Sequence, residues 1–204
     1  MESIDGRYQT TPLGDEVLAA FVDFHETVAK SQRLASIAPW FSSVSGVSLE
    51  HLSDASITVP TQADSIAPIR RAMECMREAS VIRGVSGGIA PGPLQVNRDC
   101  VVGEEQSFEV VFSTEVMGII RSDPLMSRLL VEILEAGGCV YEHDAVPHHY
   151  GLFDNERVGI GLVDGTGAPQ AYVVSENGAV VDWAALTFEK FRSRATLVTI
   201  HDYQ

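Results

Sequence analysis

An α/β fold with a mixed sheet, led by a long amphipathic helix, follows from three features of this 204-residue sequence. Between residues 81 and 141, β-branched runs alternate with helical segments, the pattern of a βαβαβ unit. After Pro147 the pattern changes to short strands separated by turn residues, which reads as hairpins added to the same sheet. From Pro12 to about Ala35, apolar residues recur at helical spacing.

Taken in order, Arg7 to Gln9 read as a short polar strand that runs through Thr10-Thr11-Pro12 into the helix. A threonine oxygen can accept from a free N–H of the first turn, and proline fits the first helical position because its missing donor has no partner there anyway. Leu13, Val17, Phe21, Phe24 and Val28 form one apolar row of this helix, and Leu18, Val22 and Leu34 a second. The band is wider than one core-facing stripe needs. We therefore expect a two-sided helix that meets its own domain and a second copy, with Val17, Phe21, Phe24 and Val28 at the dimer seam.

Pro39-Trp40-Phe41 reads as an aromatic anchor, and Ser42, Ser43, Ser45 and Gly46 as a loop after it. A helical turn is expected over 49–52 and a short strand over 57–59, ended by Pro60. Ala67-Pro68-Ile69 opens a helix with Ile69, Met73 and Met76 on one side and Arg70, Arg71 and Arg77 on the other. The Met73, Cys75 and Met76 group reads as core. Strands are then expected over 81–85, 108–112 and 139–141, with a proline-initiated segment and helices over 114–120 and 124–136 between them. Hairpin strands follow over 149–153, 158–163 and 171–174, joined at Asp154-Asn155 and Asp164-Gly165. A closing helix over 179–195 places Lys190, Arg192 and Arg194 at the negative end of its dipole.

Composition narrows the function. A net charge of −14 repels a nucleic-acid backbone, so these residues by themselves are expected to bind DNA poorly. Lys30 and Lys190 are the only lysines. Acid excess with lysine depletion suits a protein kept soluble in concentrated salt, as in a halophile, because screening removes most of the self-repulsion. No apolar run of about 18 residues exists to span a bilayer, the start carries no secretory signal, and a cytoplasmic protein is expected. Cys75, Cys100 and Cys139 are odd in number and widely spaced, which reads as free, buried thiols.

The strand, Thr-Pro start and long helix at Tyr8 to Gly14 match the exit of a winged-helix domain into its C-terminal partner. Together with Ala67-Pro68-Ile69-Arg70, Val85-Ser86-Gly87-Gly88, Glu109-Val110-Val111-Phe112, and Trp183-Ala184 with Phe188, Phe191, Arg192 and Ala195, the chain resembles the C-terminal portion of haloarchaeal winged helix-turn-helix regulators. That portion resembles the methanogenesis and filament regulator middle domain, a phospholipase-D-like fold turned to sensing. The resemblance implies residues 1–11 as a wing remnant, 12–66 as linker and dimerisation helix with its connection, and 67–204 as a phospholipase-D-like sensor domain. It also implies a homodimer, a small-molecule effector, no cofactor, and DNA contact only through an N-terminal domain that these residues do not include.

Active members of the phospholipase-D-like class carry His-x-Lys-x(4)-Asp, in which the His attacks and the Lys stabilises phosphate charge. Aligned on His149, the lysine position is Gly151 and the aspartate position Glu156; aligned on His148, they are Tyr150 and Asn155. Neither register keeps the cation, so no catalytic residue is expected. The expected ligand cleft lies at the strand ends, with Ser86, Gly87 and Gly88 offering backbone amides, Ser113 and Thr114 after the next strand, and His149 near them. Ser113 equally suits a helix cap. Two alternatives stay open: a metal-responsive regulator using Cys139, His143 and His148, and a residual phosphodiesterase. In the sensor reading, by contrast, His143 and Asp144 are exposed loop residues, and His148 and His149 point to opposite faces. Trp40, Phe41 and Trp183 read as core or interface aromatics rather than pocket walls.

Overall fold

In the computed structural model, residues 2–4, 7–41 and 46–203 are described. The expected loop at Ser42, Ser43 and Ser45 lies outside them. Two short strands, β1 (Glu2–Ile4) and β2 (Arg7–Gln9), pair antiparallel in a sheet of their own. Helix α1 (Pro12–Ala35) follows; Thr11 caps it by accepting from the Gly14 N–H at 3.2 Å, with Pro12 at its first position. Short α2 (Ala38–Phe41) and a 3₁₀ turn at Leu49–Leu52 lead to β3 (Ser56–Thr58).

The remaining elements are α3 (Ala67–Glu78), β4 (Val81–Ser86), α4 (Pro91–Val102), β5 (Ser107–Ser113), α5 (Thr114–Ser122), α6 (Pro124–Glu135) and β6 (Cys139–His143). After them come β7 (His149–Phe153), β8 (Arg157–Val163), β9 (Pro169–Ser175), α7 (Gly178–Arg192), β10 (Thr196–Leu197) and a 3₁₀ turn at Ile200–Tyr203. Eight strands form one sheet in the order β10-β6-β5-β4-β7-β8-β9-β3, with β4, β5 and β6 parallel and the rest antiparallel. Both edges are very short strands, which limits pairing with other chains.

Helices cover both faces. One core joins α3, α4, α5 and α6 to the sheet through residues such as Leu94, Met117, Leu130, Ile133 and Phe153. The other joins α2, the 49–52 turn and α7 through Ile37, Phe41, Leu52, Val158, Ile160 and Phe188. Trp40 and Trp183 are partly buried against this second core, as expected of packing aromatics.

Helix α1 behaves differently. None of its residues is buried, and Leu13, Val17, Phe21 and Phe24 are 71%, 64%, 62% and 65% exposed. Its own domain partly covers Leu34 at the helix end and leaves both apolar rows exposed from Leu13 to Val28, whereas the two-sided expectation assigns one whole side to that domain. Within the expected linker, Ile37, Phe41, Val47, Leu52 and Ala55 belong to the second core and β3 pairs with β9, so these residues pack with the sheet.

Other elements differ locally. In α3 the buried row is Pro68 and Cys75, continued by Ala79 beyond the helix, and not Ile69 and Met73. Strand β6 runs on to His143, which is therefore half-buried and edge-on to Phe191 at 5.1 Å instead of lying in an exposed loop. The last helix stops at Arg192, and the chain returns as β10 beside β6. All three cysteines are free; Cys75 is buried, while Cys100 and Cys139 are only partly covered.

Candidate functional site

His149 opens β7 in register with Ser86, the last residue of β4. Its Nδ1 lies 3.4 Å from the Ser86 Oγ, which itself donates to the Gly88 carbonyl at 2.7 Å. The imidazole fits only because glycines surround it. A Cβ on Gly88 would stand 2.8 Å from its Cε1, and one on Gly87 would stand 2.3 Å from the Val146 carbonyl oxygen. Burial, and then the neighbouring His148, hold the His149 imidazole below its ordinary pKa, which favours the neutral ring. His148 points the other way, into the second core, edge-on to Trp183 and Phe191 at 5.9 and 6.3 Å.

The structure thus brings together Ser86, Gly87, Gly88 and His149. Ser113 and Thr114 stand at the end of β5, on the other side of β4 from β7. The buried Ser113 hydroxyl accepts from the Val116 N–H at 3.2 Å and caps α5, while Thr114 is exposed. Among the described residues, Cys139, His143 and His148 form no cluster able to hold a metal, nor does any other group of three such side chains.

A phosphodiester mechanism would need a cation two residues after His149. Gly151 is there, and a Cβ on it would stand 2.8 Å from the Cζ of Phe153, a ring that is 1% exposed. The space that a lysine stem would use is filled. Glu156 lies in the exposed turn at the far end of β7. Lys30 is paired with Asp54, and Lys190 is exposed near the end of α7, which packs on the sheet face opposite to Phe153.

Comparison with known proteins gives this site its setting. Residues 66–194 match the family described as methanogenesis regulatory protein FilR1, middle domain. The chain belongs to that family. The match opens one residue before α3 and closes just after α7, so it spans the βαβαβ unit, the hairpins and the Ser86–His149 pair. No curated protein matches.

Solved structures place the FilR1 middle domain among phospholipase-D-like folds. Nuc from Salmonella typhimurium, a phospholipase D family member, is 12% identical, with 71% of this chain and 99% of that chain covered at a TM-score of 0.56. NucT from Helicobacter pylori is 8% identical, with 70% and 97% covered at 0.53. TrmBL2, an archaeal chromatin protein described with a novel mode of DNA binding, is 15% identical at 0.56. It covers 90% of this chain, which spans 66% of TrmBL2. The 90% coverage exceeds that of the phospholipase-D-type structures, whose matches reach 71% and 70%.

No helix among the described residues is long and apolar enough to cross a membrane.

Proposed function

We propose that this chain is the effector-sensing and dimerisation part of a cytoplasmic archaeal transcription regulator, and that it is catalytically inactive. Family membership supports a regulatory domain. The observation that carries the finer reading is α1, a 24-residue helix with no buried residue, whose two apolar rows are exposed from Leu13 to Val28. Val17, Phe21, Phe24 and Val28 step by four, three and four residues, the spacing of a helix–helix seam. Leaving such a band in water is unfavourable, and an identical helix covers it with the same spacing. The paired strands β1 and β2, standing apart from the main sheet directly before α1, support the wing reading of residues 1–11.

In this reading DNA is met through a winged-helix domain N-terminal to these residues, and the two α1 helices set the spacing of the two heads. A ligand acts by shifting how those helices meet, to the extent that it binds one arrangement better than the other. Gly151 and the Phe153 ring support inactivity, because the position two residues after His149 supplies no cation for the transition-state charge.

Two measurements test the proposal. In sedimentation equilibrium at high potassium chloride the wild type is expected as a dimer, and Phe21→Asp with Phe24→Asp as a folded monomer; a monomeric wild type overturns the reading. With a generic phosphodiester, no turnover that depends on His149 is expected. Hydrolysis abolished by His149→Ala would restore the residual phosphodiesterase alternative.

A further inference from the structure

A cavity lies at the end of the sheet opposite to His149. His149 pairs with Ser86 at the close of β4, whereas Arg157 pairs with Phe153, which pairs with Ile82 near the start of β4. Beside Arg157 a concavity of about 430 Å³ is lined by His51, Asp54, Arg71, Arg157, Ser175 and Asn177, among others. That is the size of a small-molecule site.

Two of these residues are arginines from different elements, Arg71 of α3 and Arg157 of β8, with side chains 27% and 22% exposed. Both line this one concavity, so two separate elements bring a guanidinium to the same cavity. Each gives one nitrogen to a carboxylate of α3, Arg71 to Glu74 at 3.2 Å and Arg157 to Glu78 at 3.0 Å. A guanidinium has five donors in a planar fork, so most of each fork is left for another acceptor.

The cavity wall is also tied to α1. Asp54 forms an ion pair with Lys30 at 3.1 Å, and the neighbouring Ala55 carbonyl accepts from Arg33. Lys30 and Arg33 belong to the last turns of α1. The loop segment Asp54–Ala55 therefore faces the cavity on one side and holds the exposed helix on the other.

We propose that this cavity is an effector site for a small molecule bearing a carboxylate or phosphate group, bound by Arg71 and Arg157, and that Asp54–Ala55 transmits its occupancy to α1. The inference rests on the reading of the chain as an effector-responsive dimer. Planar carboxylates and phosphates match the arginine fork with two parallel charge-assisted hydrogen bonds. An anion seated there brings negative charge close to Asp54 and alters its hold on Lys30. The altered hold changes how the end of α1 is fixed, which is the differential contact that a population shift requires.

Calorimetric titration at constant ionic strength tests binding, with inorganic phosphate in one arm, succinate in a second and chloride as the control. Saturable heat from phosphate or succinate is expected in the wild type, and the arm that responds identifies the anion class. Arg71→Ala with Arg157→Ala is expected to weaken it at least about tenfold. Arg71→Lys with Arg157→Lys keeps the charge but loses the fork, and serves if the alanine pair fails to fold; it is expected to weaken binding in the same direction. No saturable response in the wild type, or an equal response in the variants, overturns the site.

Coupling is read separately from the dimer dissociation constant with and without the responding anion. The anion is expected to shift it in the wild type and not in Lys30→Ala, which still binds the anion; an equal shift in both overturns the transmission route. Calorimetry reads binding whatever the oligomeric state, so failure of this site is distinguishable from a monomeric wild type, which overturns the regulator reading itself.

Discussion

Gly87 and Gly88 matter for the side chains they lack. A methyl group at Gly87 meets a backbone oxygen at 2.3 Å, which no rotamer change relieves. Gly87→Ala is therefore expected to cost about 1–3 kcal/mol in a urea melt, because the strand end must shift to admit the group. His149 makes a second residue-scale prediction. Its folded pKa is depressed, so the unfolded chain binds the proton more readily, and stability is fully present above the ordinary imidazole pKa and declines as pH falls toward the folded value. Thermal melts between neutral and mildly acid pH are expected to show a smaller acid loss for His149→Gln than for the wild type. The sequence identifies His149, Ser86 and the glycines because all sit where a buried strand meets a turn. It does not reveal the cavity at Arg71, Arg157 and Asp54. Those residues come from three segments, and helical periodicity alone makes Arg71 one of several charges on a solvated face.

Helix starts are the elements most readable from sequence, since each is written in a local chemical signal. Thr11 precedes Pro12, Asp123 precedes Pro124, and each side-chain oxygen accepts from a first-turn N–H. Asp123 accepts from both Leu125 and Met126 at 2.8 and 3.1 Å. Asp123→Ala is expected to lower stability by roughly 1 kcal/mol, measured by chemical denaturation, with the fold unchanged. Turn signals are equally plain. Asp154 and Asn155 both take positive φ, 53° and 60°, and the Asp154 carboxylate accepts from the Ser80 and Val81 N–H groups, fastening the hairpin to the start of β4. Strands of two or three residues carry no period of their own: β2 and β3 are readable from the Thr-Thr-Pro helix start and the Pro60 stop beside them, whereas β1 and β10 have no such flanking signal and emerge only in three dimensions. The two-sided face of α1 was legible as a band, but which surfaces cover it depends on tertiary packing.

Across the whole molecule, 28 acidic residues oppose 14 basic ones, and the basic ones are largely engaged locally: Arg98 holds Glu132, Arg121 holds Glu142, and Arg192 holds Glu189. The surplus of negative charge repels itself at low ionic strength. Melting temperature is accordingly expected to rise as potassium chloride is raised from dilute to concentrated; a flat response would remove the link between acidity and salt. Because Phe153 is locked in the core and occupies the space beside Gly151, no single substitution can return a cation to that register without displacing the ring. Placing a cation beside His149 in that register therefore takes two coordinated substitutions, one at Gly151 and one that shrinks Phe153, so that neither alone makes room for it.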